Sequence, residues 1–277
     1  MKITNHSLIS ESPSEIIIKE NTSNKDGAIE PKYIIIHFTA GRSAESSVAW
    51  FKDPSAKASA HLVIGRDGKI YQLVDFNLKA WHAGRSTWAS LNGFNDLSIG
   101  IELDNPGRLT KVGEKYLSWF KKEYSKDNVV EAIHKHETVP SFWYEYTEAQ
   151  MQACMKVCQV IMKKYEIQDI LGHEDISPFR KNDPGPLFPM ESFRSRLLGR
   201  NDDTGDIYTV VQNNVNIRRG PSTSFDSLGQ LNEGTRVEFV KSNLGWFFVY
   251  VLDKPAADEN LTYGWVHNSL LTKVLGN

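Results

Sequence analysis

The segment Gly172-His173-Glu174-Asp175-Ile176-Ser177-Pro178-Phe179-Arg180-Lys181-Asn182-Asp183-Pro184-Gly185-Pro186 puts an imidazole, an ammonium and a carboxylate at positions 173, 181 and 183 of one loop. Its prolines leave the chain few conformations to lose on ordering. Pro184 also biases Asp183 towards extended backbone. Folded back on itself, the loop brings His173 and Asp183 together with Lys181 beside them. Converging N and O donors suit zinc, which holds such ligands at about 2.0–2.2 Å. Two ligands are too few for a catalytic zinc, so the chain must supply another. His37 is the candidate. It closes Tyr33-Ile34-Ile35-Ile36-His37, where three isoleucines between Pro31 and Gly41 predict a strand buried on both faces. In open α/β sheets, sites gather beyond the carboxyl ends of strands.

Glu102 is the candidate acid/base. In Ile99-Gly100-Ile101-Glu102-Leu103 the apolar residues face one way, and Gly100 and Glu102 the other. Two readings stand side by side. Glu102 is either an edge-strand carboxylate facing water, or a general base beside a metal-bound water. In the second case Gly100 leaves room for a substrate backbone.

Five motifs carry a resemblance: Ile35-Ile36-His37-Phe38-Thr39-Ala40-Gly41, Ala80-Trp81-His82-Ala83-Gly84, Ser98-Ile99-Gly100-Ile101-Glu102-Leu103, the stretch from Trp143 to Gln150, and the 172–186 loop. Together, over roughly residues 30–198, they resemble the zinc-dependent N-acetylmuramoyl-L-alanine amidases of type 2. That family includes phage lysis amidases, bacterial muropeptide amidases and animal peptidoglycan recognition proteins. The resemblance implies one Zn2+ per chain held by His37, His173 and Asp183, with Glu102 as catalytic acid/base and Lys181 stabilising the oxyanion. It implies hydrolysis of the amide between N-acetylmuramic acid and L-alanine in peptidoglycan or muropeptides. His82, with Trp81, Asn105 and Arg180, is expected to contact substrate. His61 is expected to be structural, or to lie behind a ligand. The rival reading is a peptidoglycan-binding protein without turnover. Some relatives keep the fold after losing a ligand, whereas this chain keeps all five positions.

These side chains need a scaffold. The chain has 277 residues, 40% hydrophobic and 24% charged, as in an ordinary soluble protein of two domains. A net charge of −2 gives no reason to expect nucleic acid binding, and no apolar run reaches the ~20 residues of a membrane span. The first ten residues lack a signal-peptide core. The expectation is cytoplasmic synthesis, followed either by action on recycled muropeptides or by one of two routes to the wall. Those two are a non-standard route and a trimmed secretion signal. Oligomeric state is not legible.

Strands alternating with helices predict an α/β domain over 1–200, a mixed central sheet flanked by helices. Helices are expected over Ser43–Phe51, Thr110–Tyr124, from Thr147 to Tyr165, and over Pro189–Leu198. Thr147 and Gln150 form a capping box, and Cys154 and Cys158 lie on an apolar stripe as core thiols rather than a disulfide. Asp67-Gly68 predicts a hairpin. His134 and His136, among Glu131, Lys135 and Glu137, read as a solvated segment. Residues 201–205 form a polar linker. Beyond it, short strands and the pattern Asn216-Ile217-Arg218-Arg219-Gly220-Pro221-Ser222, with Gly264-Trp265-Val266, resemble bacterial SH3-like domains over 206–277. This small all-β barrel implies attachment to cell wall or to a partner domain. Tyr263 and Trp246 are either wall-reading aromatics or core.

Overall fold

A computed structural model of the chain describes residues 1–199, 206–243, 245–253 and 263–274. The chain divides into two compact units, Met1–Met190 and Glu191–Asn277. The expected 201–205 linker lies outside the described residues. The closing helix, Met190–Leu198, belongs almost wholly to the second unit. There Arg196 reaches Glu238 at 3.2 Å and its guanidinium sits over the Tyr250 ring.

The first unit is built on a mixed six-stranded sheet in the order Asp169–Gly172, Tyr33–Phe38, Ser98–Leu103, Leu62–Ile64, Ile70–Gln72, Ile17–Lys19. The first four run parallel; the Leu62–Ile64 and Ile70–Gln72 pair is the antiparallel hairpin turned at Asp67-Gly68. Ile34, Ile35 and Ile36 are fully buried because their strand is flanked on both sides. Ser98–Leu103 is likewise central, so Glu102 does not lie on an edge. Ala44–Lys52 is a helix capped by Ser43, and its Val48 and Phe51 pack with Val63, Tyr71 and Leu73. Glu148–Lys164 starts on the Thr147/Gln150 capping box and buries Met151, Cys154, Val157, Cys158 and Ile161.

The stretch 110–124 is not a helix. Arg108–Val112, Lys115–Leu117 and Glu123–Tyr124 are strands of an accessory antiparallel sheet completed by Ser141–Tyr144 and Val129–Ala132. Gly113 and Lys121 adopt positive φ (58° and 65°) between these strands. Two tight turns therefore break the run that its apolar spacing suggests is helical. The segment around His134 is not solvated throughout: His134 itself is 2% exposed.

The second unit carries a seven-stranded antiparallel sheet in the order Ser227–Leu231, Val215–Arg218, Tyr263–His267, Trp246–Val251, Arg236–Asn243, Ile207–Val210, Leu271–Lys273. Val210, Val215, Ile217, Leu231, Val237, Val249, Val251, Val266 and Leu271 form its core. Tyr263 is a core residue and Trp246 is half-buried. No helix among the described residues is long and apolar enough to cross a membrane.

Candidate metal centre

Register alone brings the first two residues together. His37 and Glu102 are direct partners on adjacent parallel strands, so their side chains leave the same face. On the other side of the His37 strand, Gly172 pairs with Ile36, and the chain turns into a short helix whose first residue is His173. The loop then folds back, and the Glu174 N–H donates to the Asp183 carbonyl at 2.9 Å. The result is a buried triangle: His37 Nδ1, His173 Nδ1 and Asp183 Oδ2 lie 2.9 Å from one another.

Which ring nitrogens carry protons follows from what lies behind them. His173 Nε2 meets the Ala83 carbonyl at 3.2 Å; a carbonyl only accepts, so Nε2 donates and the neutral ring turns its Nδ1 lone pair to the triangle. His37 is reached through His82. The His82 Nε2 meets the Ser98 carbonyl, and also the Ser98 Oγ, at 3.4 Å. The Ser98 hydroxyl already donates to the Phe94 carbonyl, so both oxygens accept. His82 Nδ1 is then an acceptor, and at 3.0 Å it takes the N–H of His37 Nε2. His37 Nδ1 is therefore a lone pair too. Two imidazole lone pairs and a carboxylate oxygen converging on one point repel each other unless a cation sits between them. The donor set fits zinc, with each ring's far nitrogen anchored as metal-bound histidines require.

Charges in the pocket follow the same geometry. Burial opposes the Asp183 carboxylate, but with no cation in the gap a proton on the facing nitrogen of His173 or His37 would bond it, and this outweighs burial and holds its pKa far below the usual range. Burial, with the neighbouring His173, lowers the His37 pKa to about 4. Burial, reinforced by Asp183, raises Glu102 well above an ordinary carboxylate, and Lys181 opposes the rise. Glu102 Oε2 is buried without a hydrogen-bond partner. Lys181 is half-exposed, and its charge acts on both Glu102 and His37.

The residues expected to contact substrate are held by the protein's own groups. His82 is buried behind His37, and its ring fills the space beside Gly100: a Cβ there would fall 2.3 Å from His82 Cγ. Gly100 thus makes room for a histidine, not for a substrate backbone. Asn105 is buried, bonded to the Tyr144 carbonyl and the Gly107 N–H. Arg180 is exposed, yet its Nη2 is tied to the carbonyls of Ala83 and Arg85. Trp81 is half-buried, with its N–H on Ser59 Oγ. His61 is buried, accepting from the Gly100 N–H and donating to the Leu78 carbonyl. Sequence reasoning missed Asn95, whose Oδ1 holds the N–H groups of both His82 and Ala83. Gly100, inside an apolar strand, signalled a close approach, and the group that fills it is the His82 ring rather than substrate.

His37 and Glu102 near the ends of neighbouring strands, with His173 and Asp183 on the segment after a third, define a buried cluster of the hydrolase type that could hold a metal ion. The family model described as N-acetylmuramoyl-L-alanine amidase matches residues 27–186, and the bacterial SH3 domain model matches 213–272. N-acetylmuramoyl-L-alanine amidase AmiD of Escherichia coli is 33% identical over 177 residues, 61% of this chain and 54% of that protein. The 1,6-anhydro-N-acetylmuramyl-L-alanine amidase AmpD of Enterobacter cloacae is 29% identical, covering 68% of this chain and 82% of its own length. Among solved structures, a selenomethionine AmpD derivative aligns with TM-score 0.48 and 26% identity, covering 70% of this chain and 97% of that one. The chain thus spans about half the length of AmiD and about four fifths of AmpD. It belongs to the N-acetylmuramoyl-L-alanine amidase family and carries a C-terminal bacterial SH3 domain.

Proposed function

We propose that this protein hydrolyses the amide between N-acetylmuramic acid and L-alanine in peptidoglycan or its muropeptide fragments. One zinc ion per chain would be held by His37, His173 and Asp183. One observation carries the reading: two histidine lone pairs and a carboxylate converge beside an unpartnered, buried Glu102. The names of the matched relatives supply the bond. A bound zinc supplies Lewis acidity towards water and the scissile carbonyl. Glu102, raised in pKa, takes the proton of the attacking water and returns it to the leaving alanine amine. Lys181 donates to the carbonyl oxygen as that atom gains negative charge. The SH3-like unit holds the enzyme to wall polymer. Catalysis is assayed as free peptide released from a defined muropeptide. Glu102→Ala is expected to lose about 10²–10⁴-fold in rate while still binding zinc, and chelation is expected to abolish release until zinc is restored. Equal release by the native chain and the variant would leave a binding protein without turnover.

A further inference from the structure

Glu174 is the one acid of the 172–186 loop's buried heart that the metal triangle does not use. Its Oε2 accepts from His134 Nε2 at 2.7 Å and from the Gly185 N–H at 3.1 Å. Its Oε1 meets Lys135 Nζ at 3.0 Å. Its own N–H holds the Asp183 carbonyl, and its carbonyl accepts from His136 Nε2 at 3.1 Å. Asp175, next in line, takes Lys135 Nζ at 2.6 Å and the Gly172 N–H at 2.7 Å. Three consecutive residues of the turn between Val129–Ala132 and Ser141–Tyr144 thus grip one short stretch of the loop.

His134 is built for this contact. It is buried, stacked on Trp143 with rings 5.8 Å apart and 22° from parallel. Its Nδ1 accepts the His136 N–H, which leaves Nε2 as the donor to Glu174. Trp143 also backs the far end of the loop, where a Cβ on Gly185 would lie 3.0 Å from its ring. Glu174 follows His173 in sequence and is bonded to both Asp183 and Gly185. It therefore ties together the two ends of the segment that carries two of the three ligand atoms.

We propose that Glu174, gripped by His134, is a positioning residue for the metal triangle, so that the accessory sheet sets the spacing of His173 and Asp183. The proposal rests on the metal reading above. It is tested by zinc affinity of the full chain, measured by competition with a chromophoric chelator. His134→Phe keeps a flat ring against Trp143 and removes the donor; it is expected to weaken zinc about 10–100-fold. His134→Gln restores an N–H donor and is expected to recover affinity to within about threefold of the native chain, on the same scale of second-layer effects. Glu174→Gln cannot accept on both oxygens, and it gives the same reading should the Phe variant not fold. Native affinity in both His134→Phe and Glu174→Gln, with zinc lost in Asp183→Ala, would overturn the positioning role and leave the metal site standing. No zinc binding by the native chain, or full binding by Asp183→Ala, would overturn the metal reading and the proposal with it.

Discussion

His61 and His82 lie with ring centroids 5.8 Å apart, yet their duties differ. His82 accepts a hydrogen bond from a candidate ligand, whereas His61 joins the Gly100 N–H to the Leu78 carbonyl. His61 is the cleaner reporter of pH. Burial lowers its pKa from 6.5 to about 4, against a smaller raising effect of the Leu78 carbonyl. The unfolded chain takes up the proton first as pH falls. The stability owed to the neutral ring is thus complete above pH 6.5 and lost as pH drops through about 4. One proton corresponds to a slope of at most about 1.4 kcal/mol per pH unit. Urea unfolding of the metal-free chain between pH 6.5 and 4 is expected to show a shallower decline for His61→Gln than for the native protein. Identical slopes would mean that the ring is protonated in the fold.

The elements that sequence made legible are those set by local chemistry. The Ile34–Ile36 run, the Asp67-Gly68 turn and the Thr147/Gln150 cap each act over a few residues, and each stands in the structure. The 110–124 stretch misled because its short strands pair with one another across the turns at Gly113 and Lys121, Thr110 with Leu117 and Tyr116 with Tyr124. The candidate site divides in the same way. The loop residues and His37 announced themselves by type and spacing. The place of His82 depends on which strand residue lies opposite it, and that is a matter of register. Gly100→Ala tests this directly. The added methyl would meet the His82 ring at 2.3 Å. The variant is expected to lose about 1–3 kcal/mol of stability through overpacking, and about 10–100-fold in zinc affinity as His37 loses its backing. A methyl absorbed with no change in either would show that His82 does not hold His37 in place.

Across the whole molecule, each unit has its own sheet and its own core, and all the candidate catalytic residues lie in the first. The division falls at Met190, before the closing helix rather than after it. A chain ended at Met190 is expected to unfold in one calorimetric transition, sensitive to zinc, and to cleave soluble muropeptide at the native rate. Its release of peptide from intact sacculi is expected to fall. Native activity on sacculi would remove the wall-holding role of the second unit.

The pairing of Tyr33–Phe38 with Asp169–Gly172 also bears on biosynthesis, since 136 residues separate His37 from His173. The isoleucine-rich strand leaves the ribosome early, and its outer neighbour is among the last parts of the unit to be made. Until then the nascent chain carries an apolar strand with one bare edge, open to pairing with other chains. Only after Asp183 has emerged are the three converging atoms present together, so a metal held by them would enter only once nearly the whole unit has been made.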